Sequence, residues 1–164
     1  MQTQDAIKLR RSVRNFQAKP IAKDDIIKLI AAAHLAPTAR NIQPWEFIVI
    51  SNKDTREKIA SLAENGRFIS QAPVCVAVLC KDTKYYLEDG CAATVNLMLS
   101  ATDLGIDSCW VAGDKKPYCQ EIKQILNVGE DFKLVSLVAL GYKRDNVSAP
   151  RKRDLNELIH WEKF

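Results

Sequence analysis

The sequence predicts an α+β fold in which helices surround a mixed β-sheet within one domain, residues 1–164. The first observation is a set of short apolar runs that have the length and composition of strands. They are residues 47–50, 74–80, 108–111 and 134–140. The second observation is that the segments between them show helical periodicity. The third is the absence of repeats, linkers and low-complexity tracts, and a chain of 164 residues has the length of one domain with a sizeable core.

The helices are predicted from apolar residues that recur every three or four positions. The predicted helices are residues 4–11, 23–35, 53–63, 86–104 and 118–126. Pro37 ends the second helix, and Ser51 or Asn52 caps the third. After the first helix, Val13 and Phe16 favour an extended path. Side chains two positions apart share one face of an extended segment, so Ser12 and Arg14 are expected to point the same way.

Two segments are predicted to be buried on more than one side. Residues 74–80 are apolar throughout, which is typical of a central strand covered on both faces. Residues 86–104 are apolar around most of the helix circumference, which is typical of a helix packed against several neighbours. In a domain this small, such a helix predicts a subunit interface.

Composition favours an ordinary cytoplasmic protein with no membrane partner. Hydrophobic residues make up 47% of the chain and charged residues 27%. No apolar run approaches the roughly 20 residues that a membrane helix needs, and the N-terminus has no apolar core of a secretory signal. The five cysteines are odd in number and form no C-x-x-C motif, so we expect reduced, structural thiols. No cluster has the spacing of a metal site.

The basic residues are concentrated in two short regions at opposite ends of the chain. Net charge is only +4, yet residues 10–16 and 150–153 each form a cationic cluster beside apolar residues. Guanidinium groups are multi-donor forks that suit phosphate. Each cluster alone is better explained as a solvated surface. Together they predict one anionic site that both ends of the chain close.

Four segments carry a resemblance that covers nearly the whole chain. They are residues 10–16 (RRSVRNF), 37–45 (PTARNIQPW), 105–113 (GIDSCWVAG) and 150–153 (PRKR). In this order they resemble the motifs of the FMN-dependent nitroreductase family. The resemblance implies a mainly antiparallel sheet flanked by helices and an intertwined homodimer with two shared FMN sites. It also implies a C-terminal arm, residues 149–164, that embraces the neighbouring subunit.

The resemblance assigns roles to matching positions at the two ends of the chain. Arg10, Ser12 and Arg14 match the residues that hold the FMN phosphate, the ribityl chain and the pyrimidine edge. Arg151 and Arg153 match the basic pair that closes on the phosphate. Two further cations alternate with these residues and are expected to be solvated. The first of the two is nevertheless counted among the cofactor-binding residues, because it lies inside the motif. They are Arg11 and Lys152.

Further positions in the middle of the chain match the family. Residues from a loop of the other subunit would contact the flavin, and they are Pro37, Thr38, Ala39 and Asn41. A turn would direct backbone N–H groups at flavin N5 and O4, and its positions are Val111, Ala112 and Gly113. Asn65 is a weaker match to an asparagine that contacts the pyrimidine ring. Asn41 is equally explained as a turn residue and Gly113 as a loop glycine.

The activity implied by the resemblance is an FMN-dependent NAD(P)H oxidoreductase. Hydride would pass from NADH or NADPH through flavin N5 to a nitroaromatic, a quinone or a similar small acceptor. The flavin carries this chemistry, so no catalytic side chain is expected, and Arg14 would tune the ring. The alternatives are a flavin-binding protein with little turnover and a specialised flavoenzyme of the same fold, such as a dehalogenase or a flavin-consuming enzyme. A nucleic-acid-binding module is remote, because no aromatic residues are interleaved with the basic clusters.

Overall fold

A computed structural model describes all residues, 1–164, and confirms the α+β class. The helices are α1 (Thr3–Leu9), α2 (Lys23–His34), α3 (Lys53–Leu62), α4 (Tyr86–Asp103) and α5 (Cys119–Ile125). The strands are β1 (Trp45–Ile50), β2 (Val74–Lys81), β3 (Asp107–Ala112) and β4 (Phe132–Gly141). Short 3₁₀ segments occur at Ala39–Asn41, Glu64–Ser70 and Leu155–Glu157. Every predicted helix and strand is present, with ends that differ by at most two residues.

The ends of the helices follow from local hydrogen bonding. The helix predicted to reach residue 11 stops at Leu9, because Arg10 turns extended, with φ −54° and ψ 129°. Arg10 is therefore the cap of α1 rather than a member of its last turn. At the start of α3, Asn52 is the residue that caps, because its Oδ1 accepts a hydrogen bond from Thr55 N at 2.9 Å.

The sheet has the strand order β1-β2-β4-β3, and all three pairings are antiparallel. The predicted parallel component is confined to one isolated bridge between Ser12 and Ser108. β2 is buried along its length except at Lys81, as its apolar run predicts. Alternate residues of β2 enter two core clusters on opposite faces, with Cys75 in one and Val76 in the other. The sheet therefore has a core on both sides.

Helix α4 packs closely on β4. A Cβ added to Gly90 would lie 2.6 Å from a methyl carbon of Val135, so only glycine allows this approach. The buried Thr94 hydroxyl donates to the Gly90 carbonyl at 2.7 Å and lies 2.8 Å from the Ser136 hydroxyl. These contacts fix the first half of α4 on the sheet. Although α4 is the longest helix, neither it nor any other has the length and apolarity needed to cross a membrane.

The N-terminal segment that follows α1 lies along the end of the sheet. Val13 N donates to the Ser108 carbonyl at 3.0 Å, and Gln17 N donates to the Tyr142 carbonyl at 2.8 Å. Val13 and Phe16 are each only 1% exposed. The extended path predicted for this segment is therefore confirmed, and its backbone is anchored by both hydrogen bonds and burial.

The C-terminal arm, residues 149–164, contrasts with this segment because all of it is exposed. Its five large apolar side chains are Leu155, Leu158, Ile159, Trp161 and Phe164. The exposed fraction of Trp161 is 84%. Apolar surface of this kind, grouped in one short segment, is typical of a surface that another chain covers. The predicted embrace of a second subunit stays a prediction.

Candidate cofactor-binding site

One cavity combines positive charge with an apolar wall. Its volume is about 960 Å³, within the roughly 300–1,000 Å³ typical of small-molecule sites. Five lining residues are cationic and none is acidic; the cations are Lys8, Arg10, Arg11, Arg14 and Lys152. The apolar wall includes Val95, Met98 and Leu99 of α4 and Trp110 of β3. Such a cavity suits a ligand with an anionic end and a flat apolar body.

The anchored N-terminal segment places the predicted arginine and serine side chains at this cavity. Val13 points into the core, so its neighbours Ser12 and Arg14 point away from the core on the other face. Arg10 reaches the same space from the end of α1, and all three residues line the cavity. The structure therefore brings together the residues of the R-x-S-x-R pattern.

The arginines of this segment have different partners. Arg11 donates from Nη1 to the carbonyls of Lys8 and Arg10 at 2.7 and 2.8 Å, which satisfies acceptors left free at the end of α1. The Arg14 guanidinium lies 5.9 Å from the centre of the Phe68 ring. No arginine of the segment has a carboxylate partner within this chain. Arg10 and Arg14 therefore offer their charge to the cavity, whereas Arg11 mainly stabilises α1.

The cations of the arm differ in their position relative to the cavity of this chain. Lys152, expected in solvent, lines the cavity together with Pro150. Arg151 and Arg153, expected to close on the phosphate, do not line the cavity of this chain. Arg153 instead pairs with Glu157, Nε to Oε2 at 3.4 Å, one helical turn further on. The 3₁₀ turn at Leu155–Glu157 places Glu157 within reach of Arg153, whereas Lys152 faces the cavity.

The turn at residues 111–113 forms contacts within its own chain. The Gly113 amide donates to the Val135 carbonyl at 3.1 Å, so it is not free to face a flavin. A side chain at Gly113 would collide with the Leu134 carbonyl, which explains the glycine by close approach to β4. Val111 is buried, whereas Ala112 is exposed and its carbonyl accepts from the Tyr118 hydroxyl at 2.5 Å. None of the three residues lines the cationic cavity.

Two other residues concern the lining of the cationic cavity: one was matched to the flavin site but lies elsewhere in this chain, and one lines the cavity without having been assigned to it. Asn65 is exposed and lines a separate cavity of about 330 Å³ beside Lys116 and Tyr118, so it does not share the cavity of Arg14. Trp110 lines the cationic cavity although sequence reasoning gave it no role. It lies in β3 opposite Val138 with a half-buried side chain, and nothing in the sequence alone distinguished it from a core residue. Trp45 is 7% exposed, as expected for a core residue.

The loop after α2 lies apart from the cavity of its own chain. Pro37, Thr38, Ala39 and Asn41 do not line that cavity. Three residues of the loop have positive φ without being glycine: Arg40 at 56°, Asn41 at 56° and Gln43 at 51°. Left-handed backbone costs a non-glycine residue about 1–2 kcal/mol. The loop therefore needs contacts that hold it in this shape.

A buried carboxylate that sequence reasoning missed supplies such contacts. Asp89, in the first turn of α4, is 5% exposed. It accepts from the Thr38 hydroxyl at 2.8 Å and from the Ala39 amide at 3.2 Å. The Thr38 oxygen in turn accepts from the Gln43 amide at 3.2 Å. An acidic residue on the apolar face of a buried helix was the sequence signal that could have identified it.

The cysteines have no features of a reactive site. All five are free, and burial raises the pKa of both Cys75 and Cys80 to about 12. Burial also raises the pKa of Cys109, against the opposing effect of Arg14. Thiols with raised pKa values stay protonated at neutral pH and are poor nucleophiles. No group of His, Cys, Asp or Glu side chains could hold a metal ion.

Comparisons with known proteins identify the family. The model of the Nitroreductase family matches residues 7–73 and 63–142. A relative from Methanothermobacter thermautotrophicus, named "Putative NADH dehydrogenase/NAD(P)H nitroreductase", is 31% identical over 100% of this chain and 88% of its own length. The chain belongs to the nitroreductase family and is by that membership an oxidoreductase.

Solved structures agree with the fold. A protein of the same name from Bacteroides thetaiotaomicron VPI-5482 superimposes with a TM-score of 0.94 at 24% identity, over 99% of this chain and 98% of its own. A BluB-like flavoprotein from Clostridium difficile 630 superimposes with a TM-score of 0.85 at 28% identity, over 99% of this chain and 100% of its own. The predicted nitroreductase-like fold is therefore confirmed.

Proposed function

We propose that this chain is one protomer of a homodimeric FMN-dependent NAD(P)H oxidoreductase, built as one domain over residues 1–164. Its electron acceptor is a nitroaromatic, a quinone or a similar small molecule. The observation that carries the proposal is the cavity of about 960 Å³ with five cations, no acid and an apolar wall. Membership of the nitroreductase family and the name of the archaeal relative support the nicotinamide donor.

The cavity fits FMN better than a neutral or purely anionic ligand. Arg10 and Ser12 hold the phosphate, because a guanidinium and a hydroxyl give it both charge and direction. Lys152 approaches the same cavity from the arm and adds a second cation. Val95, Met98 and Trp110 give the isoalloxazine ring an apolar surface to pack on. No dinucleotide-type glycine fingerprint is present, which favours FMN over FAD.

Arg14 has a different role from Arg10. Bound FMN supplies the hydride-transfer chemistry between the nicotinamide and the acceptor. Arg14 places a positive charge at the pyrimidine edge of the ring, where it favours the form that carries more negative charge. Its guanidinium has no carboxylate partner within the chain, so this charge is not neutralised. No protein nucleophile or general base is needed.

The second subunit completes the site. Pro37, Thr38, Ala39 and Asn41 are remote from the cavity of their own chain and contact the flavin bound by the partner. The exposed apolar side chains of the arm and the exposed Val95 of α4, at 45%, are covered by the same partner. This arrangement explains why apolar surface remains exposed on one chain.

A specialised flavoenzyme is the second candidate. The solved structure from Clostridium difficile 630, 28% identical, carries the name BluB-like flavoprotein rather than nitroreductase, and this favours a specialised flavoprotein of the same fold. The loops around the sheet are short, with only residues 104–106 between α4 and β3. They leave little room for an insertion that would cover the flavin and select an acceptor. Rapid reduction by NADH or NADPH separates a reductase from this candidate and from a flavin-binding protein with little turnover.

The purified protein tests the proposal directly. We expect a yellow protein with two flavins per dimer, whose released chromophore has the mass of FMN rather than FAD. Stopped-flow mixing with NADH and with NADPH should bleach the flavin absorbance, and a nitroaromatic or quinone should restore it. Lys28→Ala, an exposed cation outside the cavity, is the matched control for cavity variants. A colourless protein that takes up no FMN on reconstitution contradicts the proposal, as does displacement of FMN by a DNA duplex.

A further inference from the structure

Asp89 is the only buried carboxylate of the chain. It lies in the first turn of α4 and forms no ion pair, and its two oxygens accept hydrogen bonds from the Thr38 hydroxyl and the Ala39 amide. A buried charge is unfavourable unless such groups satisfy it. The conformation of loop 37–43 and the position of the Asp89 carboxylate therefore stabilise each other.

The base of this contact is rigid. The turn of α4 that carries Asp89 is fixed on β4 by the close approach of the next residue, Gly90, to Val135. The loop, in contrast, has an unfavourable backbone conformation, since three of its non-glycine residues are left-handed. It therefore needs contacts from outside to keep its shape. The Thr38 hydroxyl joins the two, because it donates to Asp89 and accepts from the Gln43 amide across the loop. The Asp89 carboxylate thus holds the start of loop 37–43 directly and its end through the Thr38 hydroxyl.

We propose that Asp89 is a positioning residue that holds loop 37–43 in the shape that presents Thr38, Ala39 and Asn41 to the flavin of the partner subunit. The role in flavin binding rests on the proposed function, whereas the hold on the loop does not. Asp89 contacts no reacting group itself. It acts through the side chain of Thr38 and the backbone of Ala39.

Asp89→Ala and Asp89→Asn test this role, with Thr94→Val as the matched control. Thr94 is a buried polar residue of the same helix, but its hydrogen bonds go to Gly90 and Ser136 and not to the loop. We expect Asp89→Ala to weaken FMN binding by about tenfold or more, as for loss of a hydrogen-bonded charged group. Asp89→Asn keeps the size of the side chain and one acceptor oxygen, but its NH₂ group then faces a hydrogen-bond donor of the loop. Its loss of FMN affinity should therefore be intermediate. Thr94→Val should lower the melting temperature of the apoprotein and leave FMN affinity within about twofold.

Coupling to Thr38 separates positioning from general destabilisation. In a double-mutant cycle with Thr38→Val, the effect of Asp89→Ala on FMN affinity should be clearly smaller than in the parent protein, because the hydroxyl contact is already lost and only the contact to the Ala39 amide remains to be removed. Additive effects of the two changes would overturn the proposal. The proposal would also be overturned if Thr94→Val and Asp89→Ala lowered the melting temperature equally and also lost the same FMN affinity.

Amide hydrogen exchange of the apoprotein keeps the inference distinct from the proposed function. Removing the carboxylate in Asp89→Asn should speed exchange at the amides of Ala39 and Gln43, while amides of β2 exchange as in the parent protein. If the parent protein binds no FMN, this exchange result still decides whether Asp89 holds the loop. Unchanged exchange at both amides in Asp89→Asn would refute the hold, whatever the cofactor.

Discussion

The two basic clusters of the chain look alike in sequence but differ in how they are held. Residues 10–16 contain the apolar pair Val13 and Phe16, both 1% exposed and tied to the sheet end. The arm at 149–164 contains more apolar residues, and all are exposed. Burial within one chain fixes the first cluster before any ligand arrives. The second cluster has no such support in one chain, so we expect the partner subunit to supply it.

This difference separates stability from assembly. A side chain of the anchored segment contributes to the free energy of unfolding of the protomer. A side chain of the arm is expected to contribute to dimer stability and to cofactor retention instead. The same type of residue, placed in each region, should therefore produce different losses.

The largest effect is expected from paired phenylalanine substitutions. Phe16→Ala removes a fully buried ring that packs against Gly141, and it should lower the free energy of unfolding by about 3–5 kcal/mol. Phe164→Ala removes an exposed ring and should change the unfolding of the protomer by less than about 0.5 kcal/mol. Urea denaturation at low protein concentration measures both. Equal losses would remove the distinction between the two regions.

Removal of the arm should have the next largest effect. A chain that ends at Ser148 lacks Lys152 and the exposed apolar residues, so we expect a monomer in sedimentation and FMN binding weaker by about a hundredfold, or about 2.7 kcal/mol. A truncated chain that remains a yellow dimer would contradict both roles of the arm. A colourless dimer would preserve the phosphate role and eliminate the embrace.

Within the anchored segment, Arg10 and Arg14 should separate binding from reduction. Arg10→Ala should weaken FMN binding by about 1.5–3 kcal/mol, because it loses a charge-assisted contact to the phosphate. Arg14→Ala should mainly lower the flavin midpoint potential and slow reduction by NAD(P)H, because it loses a charge at the ring. FMN titration and redox titration on both variants measure the two effects. Similar losses on both measures in both variants would show that the roles are not divided.

The smallest effect is expected within the arm. Lys152→Ala removes a cation that lines the cavity and should weaken FMN binding by about threefold to fivefold, as for an exposed charge. Arg153→Ala breaks an exposed pair with Glu157 and should change affinity less than Lys152→Ala does. Titrations at low and at physiological salt compare the two. A larger loss for Arg153→Ala would restore the original assignment and indicate that the arm moves on dimer formation.

Sequence patterns predicted the fold well because periodicity reports burial. The continuous apolar run of β2, the helical faces of α2 and α4, and the burial of Val13 and Phe16 were all visible in the order of residues. The pattern at 10–14 likewise predicted three side chains that line one cavity. These features depend on the spacing of residues close together in the chain, which the sequence contains directly.

The features that sequence patterns did not predict depend on contacts between distant residues. The bond from Asp89 to Thr38 joins positions 51 residues apart. The engagement of the Gly113 amide by Val135 follows from the approach of β3 to β4, which the turn motif does not contain. In the arm, Arg153 pairs with Glu157, a contact that the P-R-K-R motif does not contain. The resemblance matches residue types to positions, but it does not give the partners that each residue finds within the chain.

Comparison of FMN with riboflavin binding tests the central claim most directly. Equilibrium titration of the apoprotein, followed by flavin fluorescence, measures both ligands under the same conditions. If the cationic cavity holds the phosphate, FMN should bind with one site per chain and about a hundredfold or more tighter than riboflavin, which lacks the phosphate and its charge-assisted contacts. The FMN advantage should shrink as salt rises. Equal affinity for the two flavins, or no binding of either, would contradict the account.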